Sequence, residues 1–105
     1  MAKSMNGYVN TIHNQIGGMA FFMMGAKNFW FDNDTNTLRW QIANSSIKSV
    51  SVCYDTSIDL YDVSFLTETK TTISEIVIEQ VEVSELHATI ERMTGLRLSL
   101  ARTYA

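Results

Sequence analysis

The run Phe29-Trp30-Phe31-Asp32-Asn33-Asp34-Thr35-Asn36-Thr37-Leu38-Arg39-Trp40-Gln41-Ile42 decides the fold. Its middle, Asp32 to Asn36, is turn chemistry, because Asp and Asn side chains bond to nearby main chain and tolerate left-handed backbone. After it Leu38, Trp40 and Ile42 alternate with Arg39 and Gln41, the period of two expected of a strand with one buried face. Before it, the aromatic triplet Phe29 to Phe31 suits a pleated surface. The run therefore predicts a β-hairpin. If Phe29 and Phe31 point inward with Leu38, Trp40 and Ile42, the same period places Trp30 on the opposite face, beside Arg39 and Gln41.

Downstream, Asn44-Ser45-Ser46 marks a turn, and Val50, Val52 and Tyr54 then alternate with Ser49, Ser51 and Cys53. A turn at Asp55 to Ser57 leads to Tyr61, Val63 and Phe65, which alternate with Asp62 and Ser64. A polar link, Thr67 to Thr72, precedes the β-branched run Ile73 to Val81. Ile73, Val77 and Val81 also fit a helical spacing, but the density of Ile and Val favours a strand. Ser84 is placed to cap a closing helix in which Leu86, Ile90 and Met93 share a face, with Glu82 and Glu85 at its positive end. Gly95 ends that helix, and Leu96 can fold back on Ile90.

Upstream, Met5, Tyr8, Val9, Ile12 and Ile16 recur at spacings of three and four, the signature of an amphipathic helix capped by Ser4 and stopped by Gly17-Gly18. Ala20 to Met24 reads as a buried strand, and Gly25-Ala26-Lys27-Asn28 as its turn. The expected architecture is α+β: one domain over residues 1–105, with an antiparallel sheet of about five strands flanked by an N-terminal and a C-terminal helix.

Composition narrows the function classes. The chain has 105 residues, 46% of them hydrophobic, and no proline, which suits a packed core rather than disorder. Its single cysteine, Cys53, excludes an internal disulfide, and no signal-type segment opens the sequence, so a cytoplasmic setting in a host cell is expected. The longest apolar run, Met19 to Met24, falls far short of the ~20 residues a membrane-spanning helix needs. The net charge of −3 is uneven: residues 1–50 hold four Lys/Arg against two acids, and residues 51–105 hold four against nine. Between Asp55 and Glu91 Lys70 is the only base, which argues against a phosphate-binding surface there.

Met24-Gly25-Ala26-Lys27-Asn28-Phe29, the late Thr94-Gly95-Leu96 and the segment Asp62-Val63-Ser64-Phe65 together resemble a widespread family of small uncharacterised phage and plasmid proteins. The resemblance spans roughly Ile16 to Leu100. It implies a mobile-element origin and brings no catalytic residues with it.

Several patterns invite a chemical reading and are better explained without one. Asp32, Asp34 and Asn36 mimic the first calcium ligands of a helix-loop-helix site, yet the glycine due next is Thr37 and the closing acid is Ala43. Gly25 and Lys27 lack the second glycine and the following helix of a phosphate loop, so a tight turn explains them. His13, His87 and Cys53 lie far apart in sequence, with no ligand spacing and no local activator, and read as two surface imidazoles and a packed thiol. No metal, cofactor or catalytic site is expected.

Two surfaces remain. Trp30, with Arg39, Gln41 and Lys27, has the composition of a protein hot spot and also of a stacking platform for a base. Asp55, Asp59, Asp62, Glu75 and Glu79 form an acidic stretch that can either mimic nucleic-acid phosphates toward a basic protein or simply solvate the chain. The expected function is a non-enzymatic phage or mobile-element accessory protein that binds and modulates a host protein, with anti-defence inhibition as one form. The alternative is a module for single-stranded nucleic acid or a nucleotide. A sheet with aromatics on both faces also favours a homodimer.

Overall fold

The computed structural model describes residues 4–43, 45–96 and 98; Asn44 and Leu100 lie outside them. The order is α1 (Gly7–Ile16), α2 (Gly18–Met24), β1 (Lys27–Asp32), β2 (Thr37–Gln41), β3 (Ile47–Asp55), β4 (Leu60–Glu68) and β5 (Ile73–Val81). A single 3₁₀ turn, Val83–Glu85, then leads into α3 (Leu86–Thr94). The five strands form one antiparallel sheet in which each pairs with its neighbour in sequence, as expected. Helices stand at both ends of the chain.

The largest departure is at Ala20 to Met24, which is helix α2 and not a strand. Gly17, at φ 85°, ends α1, but its carbonyl accepts the Phe21 N–H at 3.1 Å and a second helix starts at once. Ala20, Phe21 and Met24 then face inward at helical spacing. Gly25 stops α2 in the left-handed region at φ 63°, and a Cβ there would stand 3.0 Å from that of Ala43, so both backbone and space call for glycine.

Two expected caps also move. Asn6 rather than Ser4 caps α1, accepting the Val9 N–H at 2.8 Å. Asn6 also donates its own N–H to Asn33 Oδ1 at 2.8 Å, so the cap doubles as a tie to the first hairpin. Ser84 sits inside the 3₁₀ turn, which has no side-chain cap, and α3 starts two residues later. Gly95 closes α3 at φ 74°, as its position in the sequence predicts.

Register fixes the two faces of the sheet. On the helix side Leu38, Val52 and Val63 stand in one row and Trp40, Val50 and Phe65 in the next, all fully buried. Val9, Ile12 and Ile16 of α1 and Leu86 and Ile90 of α3 complete the core. Burying each such side chain contributes about 1.5–3 kcal/mol, so these rows dominate the stability.

Hydrogen bonds lock the helices to that core. His87 Nε2 lies 2.8 Å from the Ile16 carbonyl, and the Ser45 hydroxyl donates to the Thr94 carbonyl at 3.0 Å. The Leu98 N–H donates to Glu91 Oε2 at 2.9 Å. The two histidines are therefore not free surface groups: His87 joins α3 to α1, and the half-buried His13 ring packs 4.9 Å from Phe21.

Candidate functional site

Among the described residues the second face of the sheet carries no helix, and its rows can be read from the same register. One row runs Trp30, Arg39, Ser51, Ser64, Val77, and the next runs Gln41, Ser49, Leu66, Glu75. The small serines of the central strands leave a shallow trough lined by Arg39, Ser49, Ser51, Ser64, Leu66 and Glu75. Trp30 stands at one rim of that row and Val77 at the other.

Trp30 is outside the core, as the alternation predicts, with 48% of its surface exposed. It stays in phase because the irregularity of β1 comes before it: pairing jumps from Lys27–Gln41 to Trp30–Arg39, so Asn28 and Phe29 together oppose Trp40. Asn28 takes the left-handed conformation that this bulge needs, at φ 56°. The bulge carries Phe29 to the margin of the core, half exposed instead of fully inward, with its ring edge-on to Phe21 at 5.0 Å.

Arg39 places its guanidinium carbon 4.9 Å from the indole centroid of Trp30, a cation–π contact that covers one ring face and holds the charge beside it. Lys27 opens β1 opposite Gln41, whose side-chain oxygen accepts from Asn28 Nδ2 at 2.6 Å. Lys27, Gln41, Lys48 and Ser49 share a hollow at this end of the sheet with Leu66 and Glu68. The four residues expected to act together therefore share one face: Trp30 and Arg39 in contact, Gln41 and Lys27 one step along.

The acidic residues divide by their hydrogen bonds. Asp55 binds the hydroxyl and N–H of Ser57, which hold its carboxyl below the usual range. Asp59 accepts from the Tyr54 hydroxyl, and Asp62 accepts the Gln80 N–H at 3.1 Å. Three of the five thus terminate local turns and bulges. Glu75 and Glu79 are exposed on β5 and remain available to a partner.

Three features escape the one-dimensional reading. The serine trough was visible in principle, since Ser49, Ser51 and Ser64 are the outward positions of two central strands and none is bulky. Met19 and Phe22 stand out from α2, Phe22 with 78% of its surface exposed, because the apolar run that forms α2 continues around its outer side. A pocket of about 230 Å³ gathers Tyr8, Thr11, Gln15, Tyr54, Asp59 and Tyr61 from α1, β3 and β4, which only the fold brings together. Its rings meet in series, Tyr8 stacked on Tyr54 at 5.3 Å and Tyr61 tilted against Tyr54 at 5.2 Å. The Asp59 hydrogen bond pushes the Tyr54 phenol up to about 12. Burial raises Tyr61, whose hydroxyl donates to Gln15.

Cys53 lies in an open-face row between Thr37 and Asp62, with its sulfur 3.1 Å from the Thr35 carbonyl. The sheet separates it from His13, whose ring packs on the helix side. Asp32 accepts the Asp34 N–H at 2.9 Å, and Asn36 accepts from Asn6, so the hairpin turn uses its own polar groups internally. Comparison of the chain with models of known protein families, with curated proteins and with solved structures finds no match in any of the three.

Proposed function

We propose that the chain is a non-enzymatic binding module that docks a partner protein on the open face of its sheet, with Trp30 as the anchor. One observation carries this reading: a half-exposed indole, held by Arg39, at the rim of a trough of small side chains on a face that bears no helix among the described residues. Aromatic and Arg side chains are enriched among the residues that dominate protein interfaces. In the mobile-element setting implied by the sequence resemblance, the partner is a host protein and the outcome is its modulation, with inhibition of a defence system as one form.

A second reading is supported by the hollow that Lys27 and Lys48 line together with Gln41 and Glu68, which offers two cations and one acid to a phosphate. In it a base of single-stranded nucleic acid, or of a nucleotide, stacks on Trp30. The guanidinium over the indole competes for a ring face that the base would use, which favours the protein partner.

Cross-linking and mass spectrometry of the tagged chain in host lysate, wild type against Trp30→Ala, tests the first reading. A partner enriched by the wild type and lost with Trp30→Ala supports it. Equal capture by both removes this face. Iodide-accessible fluorescence isolates Trp30, since Trp40 is fully buried. Protection of that signal by oligonucleotide or nucleotide at fixed salt selects the second reading.

A further inference from the structure

We propose that β5 takes up an extended basic segment of another protein as a further strand of the sheet, with two Lys or Arg residues of that segment set against Glu75 and Glu79. β5 is a nine-residue edge strand without Lys or Pro, and it is exposed along almost its whole length. Ile73, Ile76 and Val77 leave 67%, 45% and 46% of their surfaces in water. Open edges present unpaired N–H and C=O groups, which an extended chain can satisfy by adding to the sheet. Pairing with β4 is regular from Ile73 to Ile78 and slips only beyond, where Gln80 takes φ 59°.

The hydrogen-bond alternation sets which groups face out. The Thr69 N–H donates to the Thr72 carbonyl at 2.8 Å across the β4–β5 turn, and counting up the ladder turns the main-chain groups of Ile73, Glu75 and Val77 away from β4. These three residues supply the donors and acceptors for an incoming strand.

Side chains set the chemistry of that strand. On the open face of the sheet β5 shows Ile73, Glu75, Val77 and Glu79 in alternation, and on the helix side Ser74, Ile76 and Ile78. Glu75 and Glu79 are exposed, and neither has a hydrogen-bond or ion-pair partner among the described residues. Side chains directly opposite each other in an antiparallel pair interact, so opposite charges stabilise there and like charges repel. Read from Glu79 back to Ile73, the fitting antiparallel segment has a base, three apolar residues, a second base, a small polar residue and a further apolar one.

The chain itself holds no such segment, since no two of its Lys or Arg residues stand four positions apart. That points away from a second copy and toward a different protein. Of the cations on this side of the sheet, Arg39 has β3 and β4 between it and β5 and sits over Trp30, and Lys70 lies in the turn beyond Ile73, where the segment is apolar. Trp30 is on β1, at the opposite edge, so the β5 edge goes beyond the function proposed above and stands or falls separately from it.

A capped heptapeptide of that pattern, with lysines at its first and fifth positions and a fluorophore at one end, should bind the full chain with a rise in anisotropy. The amides of Ile73, Glu75 and Val77 should gain protection from hydrogen exchange as it does. Glu75→Lys combined with Glu79→Lys should weaken binding at least about tenfold at low salt with the circular dichroism unchanged, and this variant should instead bind the same peptide carrying glutamates in place of its lysines. Should the variant fail to fold, the glutamate peptide against the wild type reads the same preference and must not bind. N-methylation of the peptide main chain at the positions facing Glu75 and Val77 should abolish binding, and Trp30→Ala should leave it unchanged. The proposal is overturned by a lysine peptide that does not bind, by binding that survives the charge reversal or the N-methylation, by a glutamate peptide that binds the wild type, or by binding that is lost in Trp30→Ala.

Discussion

The two edges of the sheet are built to different rules. β1 is short, begins with Lys27, bulges at Asn28 and Phe29, and is tied through its hairpin to the cap of α1. β5 is half as long again and carries no lysine. The rows behind them differ in the same way: beside β1 the helix side holds Trp40 with Phe21 edge-on at 5.0 Å, whereas at β5 the same row ends in Ile76, nearly half exposed. The contrast teaches that the helices close the core over the β1 half, whereas among the described residues Ile76 at the other margin stays nearly half exposed.

The sharpest way to test that contrast is to truncate both ends of one row. Trp40→Ala should cost about 3–5 kcal/mol in urea unfolding, while Ile76→Ala in dilute monomer should cost about 1 kcal/mol, since much of it is already in water. A large Ile76 penalty that grows with protein concentration would move that residue into an assembled core. Gly25→Ala probes the joint that delivers β1: strained backbone and the Ala43 contact should together remove about 1–3 kcal/mol, measured the same way. Trp30→Ala should cost about 1 kcal/mol, because about half of the indole is already in water, even as it abolishes partner capture. A larger loss would mean that the indole supports β1 instead of serving a visitor.

The smallest effect is expected away from both edges, in the hairpin that ends β3. Absorbance titration should show one phenol ionising near 12 instead of 10, and Asp59→Asn should bring it back. The folded state holds this proton more tightly than the unfolded one, so the contribution is present below pH 10 and fades as pH rises through 12.

Legibility follows the same physics. The strands from Leu38 to Phe65 could be read because each has one wet face and one dry face, and the period of two is the direct record of that asymmetry. The run at Ala20 to Met24 gave no such record: five apolar residues in succession fit a buried strand or a helix equally well, and the choice was made by Gly17 permitting an immediate restart. The position of Trp30 was legible because the bulge precedes it. Phe29 was not, since a bulge adds a residue without altering composition. The acidic residues were visible as letters, but turn geometry had already engaged Asp55, Asp59 and Asp62. The tyrosine pocket depends on α1 meeting the β3–β4 hairpin, a contact between residues some 46 positions apart that no local pattern announces.

The meander itself has a kinetic consequence. Since every strand finds its partner next door in the chain, hairpins can zip in succession with short loop closures, and little search is spent on distant pairings. Refolding should be correspondingly quick for a protein so rich in strand. The longer searches fall to the helices: Asn6 must find a turn 27 residues away, and His87 the Ile16 carbonyl 71 residues back, before the core is sealed.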